Sequence, residues 1–549
     1  MKFSLVVLMS WLCFGAVVVA QKPIEKGWHL LDDKADGHYG ISLAQAYALL
    51  ASKKSNKVIV AVMDSGVDTT HEDLKPILWR NPKEQTGNGI DDDKNGYIDD
   101  VAGWNFLGNS KGENVEKESS EVARLYYELS PLFEGKQIDT TKLDAGKKAQ
   151  YKLWLQVEKA IVVPDEDREL LKIVKDIYQT LSYIDSVIAS QYGKKEFSSI
   201  DLESFFPKQY DGKKAKMAFL RIYNYLQVEP EKTNVEFMDE LNEFIEQTDD
   251  LVNLRNKPAP NYRQLITQDD ENNWNTRNYG NADVMGASAL HGTHVAGIIG
   301  GVRNNEIGIQ GVADNVQIMP IRMVPNGDEH DKDVALGIIY AVNNGAKVIN
   351  MSFGKRVSPQ KIMVDKAIQY AASKNVLIVL AAGNDEFDLD TTTLYPSPYL
   401  NDGTRAANVL VVGASSDHSI KGGLIADFTN YGKHNVDVLA PGAKIYSTVP
   451  TTDNYSFLQG TSMAAPVVSG IAALIFSYFP NLSAAEVRTI IMQSVDTAYS
   501  KSKYPRPGGD AKNKMLLGET CVSGGVVNAY NAIRLAAIKS EAKVITNKK

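Results

Sequence analysis

One serine stands among small residues, in Gly460-Thr461-Ser462-Met463-Ala464-Ala465-Pro466, and an apolar run over 467–479 follows it at once. The helical spacing of that run predicts a helix with Ser462 at its N-terminus, where backbone N–H groups and the positive dipole end face the same space as the hydroxyl. A serine hydroxyl is a weak nucleophile near neutral pH unless a base takes its proton and a third group orients that base. Candidate bases are the two histidines of Leu290-His291-Gly292-Thr293-His294-Val295-Ala296-Gly297, three apart and on one helical face. A zinc reading would need Glu directly after the first histidine and a third ligand; Gly292 stands there instead. Asp64, in Asp64-Ser65-Gly66-Val67-Asp68, closes the β-branched run 58–63. A carboxylate at the C-terminal end of a buried parallel strand sits where open α/β sheets place catalysis, although a lone Asp-Ser-Gly also reads as a turn or cap. Asn384, ending Ala381-Ala382-Gly383-Asn384, is either a turn amide or a donor aimed at an oxyanion; the pattern leaves both open.

These residues need a scaffold, and apolar runs at 58–63, 316–324, 347–352, 376–382, 409–412 and 436–439 read as strands. Helical patterns at 333–344 and 359–373 separate the first of the later runs, and a further helix is expected over 43–50. Strand and helix in alternation predict an α/β fold, a mostly parallel sheet with helices on both faces. Between 111 and 277 the texture changes to long charged segments with helical stripes. Leu170, Leu171, Val174, Ile177, Tyr178, Leu181, Ile184 and Ile188 form one, and Phe237, Met238, Leu241, Phe244 and Ile245 another. That stretch predicts a helical subdomain inserted into a discontinuous domain of 58–110 and 278–540, after a 21–57 lead and before a polar 541–549 tail.

The run Asn88-Gly89-Ile90-Asp91-Asp92-Asp93-Lys94-Asn95-Gly96-Tyr97-Ile98-Asp99-Asp100 alternates hard oxygens along the backbone. Asp91, Asp93, Asn95 and Asp99, with Gly96 at the turn, match the first part of a calcium loop. Ala102 occupies the twelfth position, so the bidentate Glu is missing. Either another group such as Asp100 completes the site or the stretch is an Asp/Gly-rich turn.

The formal net charge of −8 and pI near 5.6 argue against nucleic acid or an anionic membrane as partner, since no sustained Lys/Arg block stands against the acidic balance. No glycine-rich phosphate loop points to an organic cofactor. Residues 1–20 join Lys2 to an apolar run ending in Val18-Val19-Ala20, the pattern of a secretory signal peptide, with a retained anchor as the alternative. A secreted or periplasmic location follows. Trp11-Leu12 lacks the small residues that lipid attachment at Cys13 would need, and removal of the signal leaves Cys521 without a disulfide partner.

In the order Asp, His, Asn, Ser, the four motifs closely resemble those of the subtilisin-like serine proteases, the subtilases, over residues 36–108 and 282–535. The resemblance implies the subtilisin-like fold and a serine endopeptidase acting on polypeptides through an acyl-enzyme. Ser462 is then the nucleophile, His291 the base, Asp64 its orienting carboxylate and Asn384 the oxyanion donor, while His294 is structural. Ser352-Phe353-Gly354 matches the family's strand that pairs with an extended substrate and walls the primary specificity pocket, and Ala382 and Gly383 are further expected substrate-binding residues. A family calcium site has a partial counterpart in Asp73 and Asn305, although the loop is one residue longer than usual and Ala35 stands where an amide ligand would be. The 227-residue separation of Asp64 and His291 exceeds the family's usual spacing several-fold. Because 21–57 leaves no room for the family's usual propeptide, maturation without large N-terminal autoprocessing is expected. The rival expectation is an inactive subtilase fold that binds a partner through the helical insertion. Oligomeric state is not legible in the sequence.

Overall fold

The computed structural model describes residues 24–547 apart from 227, 229, 231, 255–258, 451–453 and 510. The signal-peptide reading of residues 1–20 lies outside the described residues. The chain divides into two compact units: residues up to Glu121 together with those from Asn261 onward, and Val122–Pro260 between them.

The first unit is built on seven strands: β1 (Val58–Asp64), β2 (Trp104–Asn105), β3 (Val316–Arg322), β4 (Val348–Met351), β5 (Leu377–Ala381), β6 (Val409–Ser415) and β7 (Val438–Pro441). They lie in the order β2-β3-β1-β4-β5-β6-β7, and every pairing is parallel. Continuous apolar strands fit this arrangement, because helices cover both faces and no side chain of the central strands needs water. Helices Leu290–Gly300 and Thr461–Tyr478 bury one face, and helices Asp331–Asn343 and Lys361–Ser373 the other. Thr461–Tyr478 is apolar and long enough to cross a bilayer, but 89% of it is buried, as befits a core helix.

At β1 the strand order reverses. β3 lies on one side and β4 on the other, so Asp64 sits at the C-terminal mouth of a switch point, where open α/β sheets form their crevice. Two features of this unit were not legible in the hydrophobic pattern. Edge strand β2 is only two residues long, and the antiparallel hairpin of β8 (Ile445–Thr448) and β9 (Tyr455–Leu458) mixes apolar residues with Ser447, Thr448 and Ser456 without strict alternation. At the C-terminus, helix Ala529–Asn547 runs through most of the stretch expected to be a polar tail.

The second unit is helical. Helices Ala145–Ala160, Asp165–Tyr192, Tyr210–Tyr225 and Asn234–Val252 carry most of it. Val174, Leu181, Ile184 and Ile188 of one stripe pack with Phe219, Tyr223, Phe237 and Leu241 in a core of its own. The unit begins and ends inside the 111–277 span expected from texture, because residues 111–121 and 261–277 pack with the sheet unit.

Candidate active site

Asp64 ends β1, and helix Leu290–Gly300 starts directly against it. The approach is so close that a Cβ on Gly292 would lie 2.1 Å from the Gly66 carbonyl oxygen and 3.0 Å from Asp64 Cβ. Only glycine allows the helix to seat there, and seating it brings His291 Nδ1 to 2.7 Å from Asp64 Oδ1. Asp64 Oδ1 also accepts from the Ser65 N–H at 2.8 Å, while Oδ2 is buried without a hydrogen-bond partner among the described residues. The carboxylate side chain is 3% exposed and the imidazole 37%, so a buried carboxylate orients a ring that is partly open to solvent.

His294 has the opposite environment. It is fully buried, its Nε2 faces the Ser456 carbonyl at 3.2 Å, and burial pushes its pKa down to about 3. It stays neutral and carries no proton for catalysis near neutral pH. The hairpin holds this helix in place: Ser447 Oγ donates to the His294 carbonyl (2.8 Å) and Thr448 Oγ1 to the Thr293 carbonyl (2.7 Å).

Ser462 is the second residue of helix Thr461–Tyr478. Four residues on, Pro466 has no N–H to give the Ser462 carbonyl. That carbonyl instead accepts from Ser352 Oγ at 3.0 Å, and Ser352 Oγ itself accepts from Asn350 Nδ2 at 2.9 Å. Asn350 Oδ1 in turn accepts from Ser469 Oγ at 2.8 Å, so a buried polar chain ties the serine's turn to β4. Ser462 Oγ donates to the Ser352 carbonyl at 3.1 Å.

Asn384 lies just beyond β5. Its Oδ1 accepts from Thr461 N (2.8 Å) and Thr461 Oγ1 (2.9 Å), which turns the amide NH₂ the other way. A Cβ built on Gly460 would fall 3.3 Å from Asn384 Nδ2, 3.5 Å from Ser462 N and 3.7 Å from Ser462 Cβ. Glycine leaves that volume empty, and two N–H donors border it beside the serine. Such a cradle suits an oxygen acquiring negative charge. Of the expected substrate-binding residues, Ser352 is buried by its bonds to Ser462, Phe353 and Gly383 are half-buried, and Gly354 is exposed. Ala382 is pinned by its N–H to the Val412 carbonyl (2.9 Å) and its carbonyl to Asn430 Nδ2 (2.8 Å).

The candidate metal ligands are regrouped. Asp93 joins Glu84 and Asp100, with one oxygen of each within 4.8 Å of the others. Asp91 instead accepts backbone N–H groups of Asn95 and Gly96, and Asp99 those of Gly87, Asn88 and Gly89, so both carboxylates build the loop. Asn95 donates to Asp100 Oδ2 at 3.0 Å. Burial pushes the pKa of Asp100 up to about 6, and Glu84 Oε2 is buried without a partner among the described residues. An all-oxygen set with one uncompensated carboxylate oxygen fits a hard divalent cation. Glu84 lies outside the loop motif, so the sequence pattern did not include it among the candidate ligands. At the second expected site, Asn305 Nδ2 donates to Asp73 Oδ1 and Tyr455 OH to Asp73 Oδ2 (3.1 Å).

In comparisons with known proteins, the model of the subtilase family matches residues 55–510. A thermophilic serine proteinase of Bacillus sp. (strain AK1) is 39% identical over 244 residues, 44% of this chain and 52% of the relative. The chain therefore spans about half that relative's length. Thermitase of Thermoactinomyces vulgaris is 38% identical over 245 residues, 44% of this chain and 75% of the relative. Among solved structures, a protease from Pseudoalteromonas arctica PAMC 21717 aligns at 31% identity and a TM-score of 0.36, covering 45% of this chain and 70% of that one.

Proposed function

The chain belongs to the subtilase family, and from that premise we propose that it is a serine endopeptidase that hydrolyses polypeptides through an acyl-enzyme. The observation that carries this reading is the empty cradle at Gly460, bordered by Asn384 Nδ2 and the Ser462 N–H. In the proposed reaction Ser462 Oγ exchanges its Ser352 acceptor for the His291 imidazole, loses its proton to it and attacks the substrate carbonyl. Asp64, through the 2.7 Å bond to Nδ1, holds the ring's orientation and stabilises the imidazolium that forms. The carbonyl oxygen, now an anion, moves into the cradle. His291 then returns the proton to the leaving amine, and water completes deacylation by the reverse sequence. The test is labelling by a fluorophosphonate probe together with casein cleavage. Stoichiometric labelling lost in Ser462→Ala supports the reading; a folded wild type that neither labels nor cleaves refutes it.

Two finer readings accompany it. Glu84, Asp93 and Asp100 would hold a structural calcium ion, which when bound neutralises three converging carboxylates and stiffens their loop. Calorimetric titration should give a calcium heat that Glu84→Gln with Asp93→Asn abolishes; an unchanged heat excludes this cluster. Residues 1–20 would direct export to a secreted or periplasmic location, and sequencing of the mature protein should begin at Gln21. A start at Met1 excludes that cleavage.

A further inference from the structure

One helix of the helical unit carries a surface that no linear run of basic residues marks. Within helix Tyr210–Tyr225, Gly212, Ala215, Phe219 and Tyr223 recur at helical spacing and are buried, with the Phe219 and Tyr223 rings stacked at 4.0 Å in the unit's own core. The stripe on the opposite side is Tyr210, Lys214, Met217, Arg221 and Tyr225, and every member of it is exposed. Tyr210 and Tyr225 are each 69% exposed and Met217 55%. At 1.5 Å per residue, rings, a thioether and cations alternate along about 22 Å of helix. The Lys214 ammonium lies over the Tyr210 ring, 4.5 Å from its centroid, and beside the helix the Lys216 ammonium lies over Phe206, which is 82% exposed. The helix holds four cations against one carboxylate, Asp211 in its first turn, in a chain whose net charge is −8. The side chains of Lys213, Lys214 and Arg221 form no hydrogen bond or ion pair among the described residues, so their charge is left for a partner.

We propose that this stripe docks an extended polypeptide segment in which acidic and aromatic residues are interspersed; resting on the protease reading above, that segment belongs to the substrate. Charge complementarity selects the carboxylates, and the exposed tyrosines and Met217 offer apolar contact between them. A single exposed ion pair contributes little, so docking takes several cations together with the rings. At about 3.3 Å per residue, an extended segment of about six or seven residues covers the stripe. A bilayer is the poorer fit. A helix that lies in a membrane interface gathers its apolar residues on one side and its cations on the other, whereas here both share one stripe and the apolar side is already packed in the unit's core. Nucleic acid would need a basic field spread over many phosphates, which the net charge of −8 opposes. Holding a substrate at a second contact raises the local concentration of the rest of its chain without altering the chemistry at Ser462.

The test uses the full chain carrying Ser462→Ala, so that bound peptide is not consumed, and follows the fluorescence anisotropy of three labelled peptides. The first interleaves glutamates with phenylalanines, the second has lysines in place of the glutamates, and the third has serines in place of the phenylalanines. The first is expected to bind at least ten-fold more tightly than either of the others, to weaken as salt is raised, and to bind at least ten-fold more weakly once Lys214→Glu and Arg221→Glu are added. Equal affinity for the glutamate and lysine peptides overturns the proposal, as does a folded charge-reversed variant that binds unchanged. Tighter binding to phosphatidylglycerol vesicles or to single-stranded oligothymidylate than to the glutamate peptide overturns it in favour of a membrane or a nucleic acid. In the chain that keeps Ser462, charge reversal should lower kcat/KM for casein at least five-fold and leave that for a short p-nitroanilide peptide within about two-fold. Equal losses on both, or no loss on casein, overturn the substrate role. If the charge-reversed variant does not fold, the ranking of the three peptides decides alone. Fluorophosphonate labelling of Ser462 scores the protease reading separately: a chain that fails to label can still bind the glutamate peptide, and one that labels can still fail to bind it.

Discussion

In the proposed mechanism the Asn384 amide N–H acts only once an oxyanion exists, so its loss should show in kcat and hardly in KM. Asn384→Ala is expected to lower kcat by about 10²–10³, or about 3–4 kcal/mol of transition-state stabilisation. Steady-state kinetics normalised to labelled sites would measure it, and a change confined to KM would reassign Asn384 to ground-state binding. Gly460→Ala attacks the same volume differently. Its methyl would lie 3.3 Å from Asn384 Nδ2 and 3.5 Å from Ser462 N, where the anion must sit, and its φ of +154° disfavours any side chain. Activity should fall at least as far as in Asn384→Ala, with labelling by the tetrahedral-mimicking probe slowed in parallel. These candidates could be picked out from the sequence, because aspartate, histidine, asparagine and serine in short motifs have few other reasons to recur in that order. Ser469 and Asn350 could not be, and Ser352 only as part of a substrate-pairing strand rather than as a partner of Ser462, since these hydrogen bonds join residues 110 and 119 apart and no local pattern records them.

At the scale of elements, the histidine helix is the part most exposed to packing errors, because it bears on β1 through Gly292 and on β8 through its carbonyls. Gly292→Ala would force a methyl to within 2.1 Å of the Gly66 carbonyl oxygen, so the helix must shift away from Asp64. Overpacking of this kind costs about 1–3 kcal/mol, and urea unfolding should register it together with a fall in kcat as the Asp64–His291 bond lengthens. Full activity would mean that the helix position is not what sets that bond. The segment before β1 adds a pH dependence. His29 is buried with neither ring nitrogen hydrogen-bonded among the described residues, and burial lowers its pKa to about 3. Since the folded value lies below the ordinary 6.5, the unfolded chain takes up the proton first. Its share of stability is complete above about pH 6.5 and drains away as pH falls towards about 3. At about 1.36 kcal/mol per pH unit, the loss between pH 7 and pH 5 is about 2 kcal/mol. His29→Phe should therefore gain about that much on wild type over the same interval in urea denaturation, and a constant difference would show that His29 does not titrate on unfolding. Strand positions were readable because parallel strands buried on both faces are continuously apolar. The β8–β9 hairpin was not, because its apolar residues, among them the buried Ile445 and the partly buried Leu458 packed on the same core, do not alternate, and Ser447 and Thr448 add hydroxyl bonds to the histidine helix.

The whole molecule poses the question of how a helical unit can stand between Asp64 and His291 without separating them. Physical reasoning permits it, since each doubling of a loop's length costs only about 0.6 kcal/mol in closure entropy, and a folded insert whose ends meet costs less. The sheet unit itself supplies the closure. Glu118 accepts from the Tyr262 N–H at 3.2 Å and the Arg263 N–H at 2.7 Å, so the chain before Val122 and the chain after Pro260 are bonded side by side. Both flanks are anchored further within that unit. Glu121 holds Lys355 at 2.8 Å, while the buried Arg263 guanidinium grips Asp333 and Asp269, and Lys332 reaches Asp269 as well. Burying these charges is tolerable only because each has a partner at hydrogen-bonding distance. The anchors persist if residues 122–260 are replaced by a Gly/Ser linker of about four residues, a length chosen because the Glu118 side chain already bonds the segment that begins at Tyr262. Such a deletion is expected to fold, to label with the fluorophosphonate probe and to keep kcat/KM for a short p-nitroanilide peptide within about three-fold, because none of the residues bordering the cradle lies in the segment removed. Casein cleavage should change by considerably more if the helical unit engages extended substrates. Equal effects on peptide and casein would exclude that role, and a deletion that fails to fold would show that the Glu118–Arg263 clasp cannot close the sheet unit by itself.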